Sequence, residues 1–120
     1  MTKEQQAKLE RAKIIWVATV RAGGRPHLVP VWFVWAAGKL YICVAPRSVK
    51  ARNLEANPRI SLALEDGSHP LICEGDARVV EPPWPDAAVA GFRVRYQWDI
   101  TAETEYTRLV EVTPRKWLAW

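Results

Sequence analysis

A chain of 120 residues, 49% hydrophobic and 25% charged, has room for one globular domain over residues 1–120 and none for a second. Its 17 Lys and Arg against 13 Asp and Glu leave a net charge of +4, which suits an anionic partner without naming one, because most surface charge only solvates a fold. No apolar run approaches the ~20 residues of a membrane helix, two cysteines make no disulfide framework, and Met1 to Lys13 is too polar for a secretory signal, so a cytoplasmic protein without a membrane partner is expected.

Thr2 and Gln5 stand at capping-box spacing and predict a helix over Lys3 to Lys13. Its apolar face, Ala7, Leu9 and Ala12, is thin and suits the end of a barrel. From Ile14 the chain turns β-branched and aromatic: a strand Ile14 to Val20, the turn Ala22-Gly23-Gly24, a strand His27 to Trp35, the turn Ala36-Ala37-Gly38 and a strand Lys39 to Val44. Short loops impose antiparallel order, so these three are expected to form a meander. The middle strand is apolar on both sides, with Val29, Val31, Phe33 and Trp35 on one and Leu28, Pro30, Trp32 and Val34 on the other. A water-facing antiparallel strand alternates polar with apolar, so a partner subunit or a ligand should cover this one. Pro30 cannot donate to a ladder and places the strand at an edge or a bulge. Seven tryptophans are also more than one small core encloses.

Ser48 can cap a helix that ends at Asn57 before Pro58. Strands Arg59 to Glu65 and Leu71 to Glu81 flank the turn Asp66 to Pro70, and Pro82, Pro83 and Pro85 then break the sheet. A helix from Asp86 to about Trp98 and strands Tyr106 to Val112 and Lys116 to Trp120 complete the chain. About six or seven short antiparallel strands with inserted short helices indicate a mainly β protein, a split β-barrel in preference to an immunoglobulin sandwich.

Chemistry concentrates in Arg47-Ser48-Val49-Lys50-Ala51-Arg52-Asn53-Leu54, where a hydroxyl and three cations surround a helix N-terminus. Free N–H groups and partial positive charge there suit a phosphate. The same spacing also describes a solvated basic turn with Ser48 as an ordinary cap. His27 and His69, the only histidines, have no metal spacing, and His27 reads as a rim residue. Arg93, Arg95 and Gln97 read as a solvated helix face that could reach a ligand's polar tail. Trp98 and Trp117 read as packing residues, with Trp98 also a candidate cover for a ligand across an interface. An oligonucleotide-binding barrel is disfavoured, because the cations cluster at one helix start without spreading among exposed aromatics.

The order His27-Leu28-Val29-Pro30-Val31-Trp32-Phe33, followed by Arg47-Ser48-Val49-Lys50-Ala51-Arg52-Asn53-Leu54-Glu55-Ala56-Asn57-Pro58-Arg59-Ile60-Ser61-Leu62, resembles the pyridoxamine 5'-phosphate oxidase-like split-barrel family. The resemblance runs from about Ile14 to Trp120. It implies that Arg47, Ser48, Lys50 and Arg52 hold a cofactor phosphate and that Val29, Pro30, Val31 and Trp32 run along a flavin ring, largely through backbone. Nothing after Glu81 matches the pyridoxal phosphate-binding segment of the longer oxidase, so vitamin B6 oxidation is set aside for the family's shorter members. The implied protein is a homodimeric, flavin-binding oxidoreductase acting on a small molecule, with FMN first, the deazaflavin coenzyme F-420 second and haem third. No catalytic side chain and no metal ligand is assigned. The alternative is a non-catalytic carrier of flavin or haem.

Overall fold

The runs of Ile, Val, Trp and Tyr become strands and the capped polar segments become helices. A computed structural model describes residues 1–120. Its elements are α1 (Lys3–Arg11), β1 (Ile15–Val20), β2 (Pro26–Val31), β3 (Val34–Ala36), β4 (Lys39–Val44), α2 (Val49–Ala56), β5 (Arg59–Leu64), β6 (Leu71–Val79), α3 (Asp86–Tyr96), a 3-10 turn (Ile100–Ala102) and β7 (Arg108–Ala119). The capping box forms as its spacing predicts, with Thr2 accepting from the Gln5 N–H and Gln5 returning the bond to the Thr2 N–H.

All seven strands join one antiparallel sheet in the order β2-β1-β5-β6-β7-β4-β3. The expected three-stranded meander does not form. The strand expected over His27 to Trp35 breaks at Trp32-Phe33, so that β2 pairs with β1 at one edge of the sheet and β3 pairs with β4 at the other. Two residues therefore connect the two ends of a seven-stranded order, which is possible only if the sheet curls until its edges approach. Phe33 and Val34 on the far side of the break are both enclosed, Phe33 in the core on one side of the sheet and Val34 in a cluster on the other. Pro30 sits on an edge strand, where its missing N–H is tolerated.

The two strands expected over Tyr106 to Val112 and Lys116 to Trp120 are one, β7. Pro114 does not end it because it lies at a bulge opposite Gly75, beyond Val112, the last β7 residue with a β4 partner. The three helices also end one to two residues before their sequence limits.

The concave side of the sheet holds the main core, built on Ile15, Val17, Ile42, Leu62 and Val112 and covered by Leu9 of α1 and Ala51 of α2. A second apolar cluster lies on the opposite side of β4, where Tyr41, Cys43 and Leu109 pack with Ala88 and Phe92 of α3. Gly91 lets α3 approach β3, since a Cβ there would stand 2.6 Å from a Val34 methyl. The two sequence cysteines are free and buried, one in each cluster.

Candidate functional site

The basic helix α2 is fixed before its cations are considered. Ser48 is its N-cap, with Oγ accepting from the Ala51 N–H at 3.2 Å. Asn53 is buried and its Nδ2 donates to Thr19 Oγ1 of β1 at 3.0 Å. Residues three or four apart share a helix side. Lys50 therefore leaves from the side of Asn53, toward β1 and β2, whereas Ser48 and Arg52 lie together one turn apart. Lys50 and Arg52 diverge by about 200° around the helix. The two cations do not converge on one point of α2, and Arg47 and Arg52 are exposed.

The Lys50 charge acts on His27 of β2. His27 stands opposite Thr19 in the β1–β2 register, and Arg21 Nη2 lies 3.1 Å from its Nδ1. Burial first, then the Arg21 and Lys50 charges, hold the His27 pKa below its ordinary value. Burial likewise lowers the Lys50 pKa. The chain's ion pairs engage Lys8, Arg78, Arg93, Arg108 and Arg115. None includes Arg21, Lys50, Arg47 or Arg52, so this end of the barrel carries several cations and no carboxylate partner. A partly desolvated ammonium without a counter-charge is unfavourable unless an anion completes it.

The residues expected along a flat ring divide between two sides. Val29 and Val31 are half-buried and face inward beside Val17 and Ile15, while Pro30 and Trp32 are exposed. The outer backbone edge of β2 has no strand partner. Trp32 stacks on Tyr96 with centroids 4.6 Å apart and planes 4° from parallel, and meets the edge of Trp98 at 5.8 Å. Trp98 in turn packs edge-on against Phe92 and donates its Nε1–H to Glu103 at 2.7 Å. Trp98 and Trp32 thus belong to one aromatic group within the same chain. No three or more His, Cys, Asp or Glu side chains gather as a metal ion would require.

Sequence reasoning missed Arg21 and Tyr96. The Tyr96 hydroxyl accepts from the Phe33 N–H at 3.1 Å and lies 2.8 Å from the Lys13 carbonyl and 3.0 Å from that of Phe33, so its single proton serves one carbonyl at a time. It fills the gap between the sheet edges. The Phe92 and Tyr96 spacing, one helical turn, was the available signal. Arg93 and Arg95 are not free for a ligand: Arg93 pairs with Asp99 at 3.3 Å, and Arg95 donates to the carbonyls of Glu10 and Ala12 at the end of α1.

The family model described as pyridoxamine 5'-phosphate oxidase matches residues 1–120. The chain belongs to that family. A search among curated proteins finds no match. Among solved structures, HutZ, the haem storage protein of Vibrio cholerae, superposes with a TM-score of 0.81 at 22% identity, covering 98% of this chain and 93% of that one. A conserved hypothetical protein from Mycobacterium tuberculosis gives 0.79 at 25% identity, covering 100% and 84%. An F-420 reductase gives 0.74 at 25% identity, covering 98% of each chain. Within the pyridoxamine 5'-phosphate oxidase family, this end of the barrel offers cations without carboxylates beside an open strand edge and a fixed indole, donors that suit an anionic group next to a flat ring.

Proposed function

We propose that this chain is a flavin-binding oxidoreductase in which Lys50 holds the cofactor phosphate from the β2 side of α2, Arg47, Ser48 and Arg52 reach it around the N-terminus of that helix from the other side, and β2, from Val29 to Trp32, lies along the ring. The observation that carries this reading is Lys50, half-buried, without a counter-charge, with its charge felt by His27 on β2, the edge strand that the ring would follow. A bound flavin would supply the redox chemistry, while the chain anchors, orients and shields it. Trp98 contributes by fixing Trp32 from behind.

FMN is the favoured cofactor. The oligoglutamate tail of coenzyme F-420 calls for further cations, and Arg93 and Arg95 are already engaged by Asp99 and by α1. Arg25, between β1 and β2, is exposed and in no ion pair, and would be a lone cation for such a tail. Competitive titration with FMN and F-420 at low and high salt tests the choice, since contacts between exposed charges weaken as salt rises. Tighter FMN binding at both salts supports it, and a preference for F-420 that salt abolishes overturns it.

The active species in this reading is a cytoplasmic homodimer, consistent with two reduced, buried cysteines and with the exposed apolar residues Leu28, at 61%, and Trp32, at 48%. The rival reading is a carrier of flavin or haem, favoured by the fold shared with HutZ. The absorbance of protein from its native host separates flavin from haem. Turnover with a reductant and candidate acceptors separates enzyme from carrier.

A further inference from the structure

His27 enters the phosphate site through a feature that the basic stretch of α2 does not contain. Arginine has only donors, so at 3.1 Å the Arg21 Nη2–H must donate to His27 Nδ1. That contact leaves one tautomer, a neutral ring with its proton on Nε2. The charged groups that act on the ring from neighbouring elements are both cations, Arg21 from the β1–β2 turn and Lys50 from α2, and they disfavour protonation at Nδ1. The ring is not sealed in the core: His27 is half-buried on an edge strand. Its Nε2–H has no hydrogen-bond partner in the chain, whereas its Nδ1 has Arg21.

We propose that His27 is a further ligand of the phosphate, donating through Nε2–H to a phosphate oxygen, and that Arg21 is a positioning residue that holds the ring in the donating tautomer. The proposal rests on the phosphate reading above and adds two residues to it. A phosphate oxygen accepting from His27 and from Lys50 would join β2 to α2 through the ligand. The His27 hydrogen bond would also be present at neutral pH without proton uptake, because the ring donates while uncharged.

The test uses the full chain, with FMN, riboflavin and inorganic phosphate as probes. His27→Phe should weaken FMN binding about tenfold, the usual scale of a lost hydrogen bond to a charged group, and leave riboflavin binding unchanged. His27→Gln should retain most of the affinity, since its amide N–H reaches close to the position of Nε2. Nitrogen-15 spectra of the imidazole should show the Nε2–H tautomer before any ligand is added, with the Nε2 signal moving on addition of inorganic phosphate. Arg21→Ala should mix the tautomers and weaken FMN binding less than His27→Phe. Wild-type FMN affinity in His27→Phe, with weakened binding in Lys50→Ala, overturns the role of His27 and leaves the phosphate reading standing. Unchanged affinity in both variants, or no binding of FMN or phosphate by the wild type, overturns both.

Discussion

The clearest consequences at the scale of the residue belong to groups that the fold keeps protonated. Burial, followed by the hydrogen bond to Glu111, pushes the Tyr41 phenol from 10.0 up to about 12, and burial pushes both thiols from 9.0 up to about 12. An acid whose folded pKa is raised contributes stability that is complete below its unfolded value and disappears as pH rises through the folded one. The chain should therefore hold its stability up to about pH 9 and lose it progressively toward about 12. Denaturant midpoints measured across that range check this, and a flat profile would show that these protons are not held by the fold. Both thiols should also stay silent to a disulfide reagent at neutral pH until the chain unfolds. At the proposed cofactor site, Lys50→Ala should weaken FMN binding about tenfold or more without lowering the denaturant concentration at which the free chain unfolds. Wild-type affinity in that titration would remove Lys50 from the phosphate site. That Ser48, Lys50 and Arg52 gather at a helix start was legible because they are neighbours in the chain. Arg21 and Tyr96 were not, because their partners, His27 across a turn and Phe33 across the sheet seam, are set by folding alone.

Elements are tied together here by close approaches that composition does not advertise. Arg95 of α3 donates to the Glu10 and Ala12 carbonyls at the C-terminal end of α1, and Lys13 returns a bond to the Arg95 carbonyl at 2.9 Å. A cation at a helix C-terminus satisfies carbonyls that have no partner within the helix. Removing it by Arg95→Ala should raise amide exchange in α1 selectively, and uniform exchange across the chain would count against the clasp. Gly91 behaves oppositely to its propensity. Alanine would gain roughly 1 kcal/mol in an exposed helix, but at this position its methyl meets Val34, so Gly91→Ala should lower the unfolding midpoint. The helices, their caps and the strand-forming runs were readable because each rests on local spacing, as in Thr2 with Gln5 and Ser48 with Ala51. The break at Trp32-Phe33 was not, because the apolar run continues through it and only the pairing of β2 with β1 and of β3 with β4 reveals it. Pro114 misled for a related reason: whether a proline ends a strand depends on what lies beside it.

Seen whole, the chain measures 37 × 36 × 19 Å, a slab with a broad apolar face. Pro30, Trp16, Ala63, Ile72 and Leu118 form a continuous row across β2, β1, β5, β6 and β7 on the convex side, and none of them is buried in the single chain. Such a row is what a stable dimer covers, with obligate interfaces commonly burying about 2,000 Å² or more. Sedimentation at micromolar concentration should show a dimer, and Ile72→Asp should yield a folded monomer; a wild-type monomer would leave the row without an occupant. The sheet order also governs how the molecule is born. The strand β7 stands between β6 and β4, yet the ribosome makes it after both. Without it, the sheet order divides into β2-β1-β5-β6 and β4-β3, and β7 is what joins the two. Closure waits for pairings some 70 positions apart, such as Tyr41 with Glu111, and pairings so distant in sequence slow folding. Until β7 docks, β6 and β4 each keep an unpaired edge, the kind of edge that pairs with other chains.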